Sequence, residues 1–285
     1  MLVYEAEPVL SSDVQSVQSV AYISDIWPSL SKADQDFLLH CRLGHLSADG
    51  IREMIKNGTT INGKTLVFNN TLKDFKCAIC RRATQKRADI PRREQHSPRH
   101  PNCQFGEHLH SDCVVIKNTP TFNYGRYVLT VVDEKSLAPS IFIMQTEQKC
   151  LDQYKKCVER LKSKTGKPPK TQTFDRGTGF RNPEFRHFVE INCGSEYRAS
   201  LAERPWENGI AECVQKLCWN IARCQLKHSG LADIYRGPSL RHAAQLLLYR
   251  PSSRLGGKSP IHEITSDKHC NLDRREVSQT GLKQP

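Results

Sequence analysis

Apolar residues along this chain switch between two spacings. From Ser31 they recur at helical intervals, with Ser31 or Ser29 placed to cap the helix and Phe37, Leu38 and Cys41 expected to face a small core. Ser47–Asn57 repeats the pattern, with Ser47 as cap, Ile51, Met54 and Ile55 on one side, and Gly58 as the stop. Thr60–Asn70 alternates loosely around Asn62-Gly63, a hairpin signal. Farther on, His108–Ile116, Tyr127–Val132 and Ser140–Gln145 are rich in Val, Ile, Leu and Phe. Asn, Pro and Gly separate them, which predicts a three-strand antiparallel meander. Leu151, Tyr154, Val158 and Leu161 return to helical spacing until Gly166 and Pro168-Pro169. A short strand, Thr171–Phe174, then leads into a turn at Asp175-Arg176-Gly177. Pro183–Ile191 reads as a short helix, and Glu207–His228 as a longer one with Ile210, Val214, Leu217, Ile221 and Leu226 on one stripe. The order β-β-β-α-β-α-β-α predicts a mixed sheet with helices on its faces.

These segments divide the 285 residues into a flexible leader (1–30), a small helical module (31–83), a basic linker (84–107), a larger α/β domain (108–250) and a short C-terminal tail (251–285). No stretch approaches the roughly 20 apolar residues of a membrane span. The N-terminus lacks the basic and apolar regions of a signal peptide. The net charge of +12 favours an anionic partner, of which nucleic acid is the commonest. That charge is uneven. Residues 1–39 hold six acids against one lysine, and residues 76–107 hold eight cations against three acids. Most of the 12 cysteines are scattered, which fits buried free thiols in a reducing compartment and leaves the close pair Cys77 and Cys80 as metal candidates.

His40 and His45 are separated by four residues, Cys77 and Cys80 by two, and 31 residues lie between the pairs. Two imidazoles and two thiolates form the tetrahedral donor set that one Zn²⁺ favours. A metal would also supply folding free energy to a module too short and polar for a strong core. A redox Cys-x-x-Cys or plain surface histidines are the alternatives, and Cys41 competes with His40 as a ligand.

Three acids stand out by position. Asp112 lies within the first long strand, Asp175 ends the short strand Thr171–Phe174, and Glu212 opens the last long helix. Carboxylates placed on neighbouring strands and a helix above them can converge on a pair of hard cations such as Mg²⁺. Each acid alone is equally well a cap or a surface charge, and the helix dipole by itself accounts for Glu212. Lys216, Trp219 and Arg223 continue the helical stripe of Glu212, which would set two cations and an aromatic against a nucleic-acid backbone. A solvated helix face with Trp219 half-buried is the plainer reading.

Taken in order, HCRLGHLSADGIREMIKNG, CAIC, LHSDCVV, GRYVLTVVDEKS, TFDRGTGFRNPEF and RPWENGIAE resemble copia-type LTR retrotransposon polyproteins. They match the pre-integrase zinc region and then the integrase catalytic core. The 36 residues between Asp175 and Glu212 agree with the family's spacing. The resemblance implies a ribonuclease-H-like fold preceded by a helical HHCC zinc domain. It implies that Asp112, Asp175 and Glu212 are the catalytic, metal-binding acids for two Mg²⁺ or Mn²⁺ ions. His40, His45, Cys77 and Cys80 would hold one structural Zn²⁺. The implied activity is that of a DDE polynucleotidyl transferase, which processes DNA 3′ ends and joins them to a target duplex. DNA ends and target DNA are the implied partners, with homo-oligomers and a nuclear location. Two other classes compete: a catalytically inactive nucleic-acid-binding remnant of such a polyprotein, and a zinc-stabilised protein adaptor.

Overall fold

The computed structural model describes residues 27–61, 64–72, 77–83, 100, 102–175, 177–200, 208–265 and 271–272. The leader up to residue 26, the Asn62-Gly63 turn, most of the basic linker (84–99) and residues 201–207 lie outside the described residues, as does the end of the tail.

The small module opens with α1 (Lys32–Arg42), whose cap Ser31 accepts from the Asp34 amide, and α2 (Ala48–Lys56), capped in the same way by Ser47. The inner face of α1 is turned from the expected one. Leu39 and His40 are buried with Asp36, while Phe37, Leu38 and Cys41 are only half-buried. The reason is Asp36, which is drawn inside by hydrogen bonds from the amides of Asn69 and Thr71. Leu39, Leu43, Leu46, Ile51, Met54 and Leu66 form the module's core. Short strands β1 (Thr60–Ile61) and β2 (Lys64–Thr65) pair antiparallel, and α3 (Ala78–Ala83) follows Cys77 directly.

The larger domain is built on a five-stranded mixed sheet. Its strands are β3 (His108–Val115), β4 (Tyr127–Asp133), β5 (Pro139–Met144), β6 (Thr171–Phe174) and β7 (Glu196–Ala199), in the order β5-β4-β3-β6-β7. The first three pair antiparallel, while β6 and β7 run parallel to β3. This is a ribonuclease-H-like sheet. The expected meander and the strand Thr171–Phe174 fall within a residue or so of these bounds. The element order anticipates β7 without locating it.

Each face carries helices, so the sheet is buried on both sides. On one face α4 (Cys150–Thr165) and α5 (Pro183–His187) cover Leu109, Leu129, Val131 and Phe174. Past α5 the chain makes one π-helical turn, Phe188–Asn192. On the other face α6 (Gly209–Ser229) and α7 (Arg236–Tyr249) pack over Ile116, Val128 and Val132. The stripe expected on α6 holds at Val214, Ile221 and Leu226, but Leu217 is exposed, and Ala211, Cys218 and Ala222 are buried in its place. The run Leu246-Leu247-Leu248 belongs to α7, a helix that the sequence reading does not place.

The two units are in contact. Gly44, at φ +67°, leaves no room for a side chain: a Cβ there would stand 2.7 Å from Leu246 Cδ1 and 2.9 Å from Ile221 Cγ2. Residues past 250, set apart as a tail by the sequence, return to the small module. Ile261 in α8 (Pro260–Thr265) packs on its core, the Asn57 side chain donates to the Gly257 carbonyl, and β8 (Asn271–Leu272) pairs parallel with β1. Among the described residues no helix is long and apolar enough to cross a membrane.

Candidate metal centres and nucleic-acid interface

The four predicted zinc ligands converge. His40 leaves the buried side of α1, and His45 follows Gly44 in the left-handed region at φ +58°, which turns its ring back toward the helix. Cys77 and Cys80 bracket the start of α3, and the Cys80 amide donates to Cys77 Sγ. His45 Nδ1 lies 3.1 Å from His40 Nε2, 3.6 Å from Cys77 Sγ and 3.4 Å from Cys80 Sγ; Cys80 Sγ is 3.5 Å from His40 Nε2. Tetrahedral edges of about 3.3–3.8 Å follow from Zn–N near 2.0–2.1 Å and Zn–S near 2.3 Å, so the donor set fits that ion. His40 Nδ1 meets the Leu46 carbonyl at 2.8 Å; donating there leaves Nε2 bare for a metal. Burial lowers both imidazoles, His45 to about 4, which keeps them in the neutral form that ligates.

A second group shares one of these residues. The ligand atoms of Cys41, His45 and His228 also lie within 4.8 Å of one another.

Two of the three acids meet. Asp112 sits midway along β3, on the face that α6 covers, and Asp175 follows the last residue of β6. Their carboxyls share a hydrogen bond. Burial, the adjacent Asp175 charge and that hydrogen bond push Asp112 up to about 7. Burial also raises Asp175, as do the Glu212 and Glu147 charges, against the opposing pull of the Asp112 hydrogen bond and the Gly177 amide. Glu212, half-buried in the first turn of α6, therefore acts on the pair through space. The three carboxylates are not among the groups whose ligand atoms all lie within 4.8 Å of one another.

Three supporting residues escaped the sequence reading. Gln215 hydrogen-bonds Asp112 and donates to Thr130 Oγ1 at 3.3 Å. Asn208, fully buried before α6, donates to the Ser111 carbonyl at 2.8 Å and ties the helix start to the strand beside Asp112. Glu147 opens the short 3-10 turn just before α4, with its Cγ 3.2 Å from where a Gly179 Cβ would stand. Gln215 was detectable as the residue one turn after Glu212; the other two carry no local signal.

The remaining predicted residues line the outer side of α6. Trp219 is half-buried against the second core, and with Arg223 it walls a cleft of 380 Å³ that Lys117, Lys227 and Arg236 also line. Lys216 is exposed and lies outside that cleft.

No protein-family model matches the chain. It is 23% identical over 246 residues to the retrovirus-related Pol polyprotein from transposon TNT 1-94 of Nicotiana tabacum, covering 86% of this chain and 17% of that polyprotein. The simian T-cell lymphotropic virus intasome, solved by cryo-electron microscopy in complex with PP2A regulatory subunit B56 gamma, aligns with 67% of this chain and 64% of its own, at 13% identity and a TM-score of 0.48. The likeness to that Pol polyprotein extends over most of this chain, and it is consistent with the copia-type resemblance of the motifs.

Proposed function

We propose that this chain is the integrase segment of a retroelement polyprotein and acts on DNA as a polynucleotidyl transferase. The observation that carries the reading is the contact between the carboxyls of buried Asp112 and half-buried Asp175, with the Glu212 charge acting on them. Two like charges in contact, removed in large part from water, favour a proton or a cation between them. Oxygen-only donors in that state suit Mg²⁺ or Mn²⁺. Asp112, Asp175 and Glu212 would hold the ions. When bound, such ions activate an attacking oxygen and neutralise the leaving one.

The chain's own residues set the stage around them. Gln215 orients the Asp112 carboxyl, and Asn208 fixes the start of α6, so Glu212 is held over the strand ends. Lys216 and Arg223, exposed farther along the same helix, would meet phosphates, with Trp219 beside them. In the small module His40, His45, Cys77 and Cys80 would hold one Zn²⁺ and fix α1 to α3. DNA as substrate implies a nuclear site of action and assembly of several copies on paired ends.

That the three carboxylates are not among the groups with ligand atoms all within 4.8 Å of one another favours one second reading, a remnant that binds nucleic acid without joining strands. A strand-transfer assay on a DNA duplex with Mg²⁺ or Mn²⁺ separates the two. Joining that depends on the metal and is lost in Asp175→Asn, with DNA binding retained, supports the transferase. Salt-sensitive binding with no joining supports the remnant, and joining that survives Asp175→Asn overturns the acid assignment.

A further inference from the structure

Beside the four-ligand cluster stands the second set, Cys41, His45 and His228, with its ligand atoms mutually within 4.8 Å. It draws on both units of the fold. Cys41 follows His40 on α1 and, about 100° farther round the helix, is directed to another side. His228 closes α6 of the larger domain, and its ring meets that of His45 at 5.3 Å between centroids and 62°. Phe37 lies 6.3 Å from the His228 ring and flanks the group. The two sets differ in access. His40 and Cys77 are buried, whereas His228 is exposed and Cys41 half-buried.

One thiol and two imidazoles suit Zn²⁺ rather than Mg²⁺, and three protein ligands leave a position open to water. A closed four-ligand site loses its ion only by breaking bonds in turn. A neighbouring set that shares a ligand offers a new bond as each old one is given up.

We propose that Cys41, His45 and His228 form an outer, solvent-facing ligand set for a thiophilic divalent cation, through which the ion exchanges with the inner His40–His45–Cys77–Cys80 set while His45 stays bound. On the way in, the metal bonds to Cys41 and His228 are replaced by bonds to His40 Nε2, Cys77 Sγ and Cys80 Sγ. Cys41 regains a proton, Cys77 and Cys80 release theirs to water, and nothing is oxidised or reduced. The proposal rests on zinc binding by the inner set.

The test uses the zinc-loaded full chain and an excess of the chromophoric chelator 4-(2-pyridylazo)resorcinol, with zinc counted by atomic emission. Entry and exit share one path, so His228→Ala and Cys41→Ser should slow zinc release, by roughly tenfold for a lost ligand contact. Zinc stays at one per chain, and His228→Cys, which keeps a ligand, restores the rate. Unchanged release overturns the proposal, since the ion then leaves directly from the inner set into the open cleft that Cys80 and Arg81 of α3 line with Leu217 and Asn220 of α6. Faster release also overturns it, because His228 then only packs against His45, and so does a count of two ions per chain. A wild-type chain that holds no zinc overturns the inner-set reading as well; one zinc with release indifferent to both substitutions overturns the outer set alone.

Discussion

Asp112 and Asp175 meet one residue beyond a shared rung of the sheet. Ser111 pairs with Phe174 across the parallel strands β3 and β6, and the next residue on each is the acid. Backbone register, rather than a flexible side-chain reach, brings the carboxyls together. Burial and the Asp175 charge raise Asp112 from 3.8 to about 7, so the folded chain holds a proton that the unfolded chain has released. The native state binds more protons between these values, and stability therefore falls as pH rises from about 4 to 7. In zinc-containing, Mg²⁺-free buffer the melting temperature should fall across that window in the wild type and fall less in Asp112→Asn. Adding Mg²⁺ at pH 7.5 should recover the wild type. A wild-type melting curve flat in pH across this window would remove the carboxyl pair.

Asp36 is a structural acid. It is fully buried and accepts from the Asn69 amide at 2.7 Å, the Thr71 amide at 2.8 Å and Thr71 Oγ1 at 2.7 Å. Burial alone would raise its carboxyl, but these donors outweigh it and hold the group below 3.8. Its stabilisation is present above that value and lost as pH falls through and below it. Asp36→Ala takes the acceptor from the part-buried Asn69 and Thr71 main-chain N–H groups, at a cost of roughly 1–2 kcal/mol. Urea unfolding monitored at helices α1 and α2 should show that loss, with Asp36→Asn losing less.

The contrast between these two acids marks what the sequence makes legible. Strand positions were readable because Gly, Pro and Asn bracket each β-branched run. The His/Cys cluster was readable from spacing, since tetrahedral coordination by two short pairs would constrain it strongly. Asp112 and Asp175 stood out by position, but each alone reads equally as a cap or a surface charge, and the order of several motifs is what joined them. Asp36 carried no signal beyond its count among the acids of residues 1–39, and only its long-range donors at Asn69 and Thr71 account for its burial. Helix α7 was not placed by the sequence; Gly237-Pro238 falls in its first turn, where Pro is well accommodated. The exposure of Leu217 likewise depends on where α3 docks against α6, a contact between distant segments.

Gly44 is set by space as well as by backbone. Its φ of +67° disfavours any Cβ, and Leu246 and Ile221 stand within 3 Å of where one would be. Strain and overpacking together put Gly44→Ala at roughly 2–4 kcal/mol of destabilisation. His45 is the next residue, so zinc affinity should fall with stability. Thermal unfolding and competition with a zinc chelator measure the two effects; a variant as stable as wild type would mean that the units separate at this contact.

Zinc removal should act locally first. The core of residues 31–83 is small, and apparent metal-binding free energies of about 10 kcal/mol or more support such modules. A chelator should therefore open helices α1 to α3 to protease while the five-stranded sheet resists. Cys77→Ser, which removes one ligand, should reproduce this pattern without chelator. Equal protection of both units after zinc removal would mean that the apolar core suffices.

Helix α6 offers its cations in a graded way that DNA binding can report. Lys216 is exposed, while Arg223 is held by Asn220 and shares its cleft with Lys117, Lys227 and Arg236. Each phosphate contact releases condensed counterions, so removing one lowers the slope of log affinity against log salt by roughly 0.9 on duplex DNA. Lys216→Ala and Arg223→Ala should each reduce the slope by about that amount and weaken binding similarly for unrelated sequences. Trp219→Ala should weaken binding while leaving the slope intact, because an indole carries no charge to exchange. If both lysine and arginine variants keep the wild-type slope, the nucleic-acid path runs elsewhere on the basic surface, and α6 serves the acid pair through Glu212 and Gln215 alone.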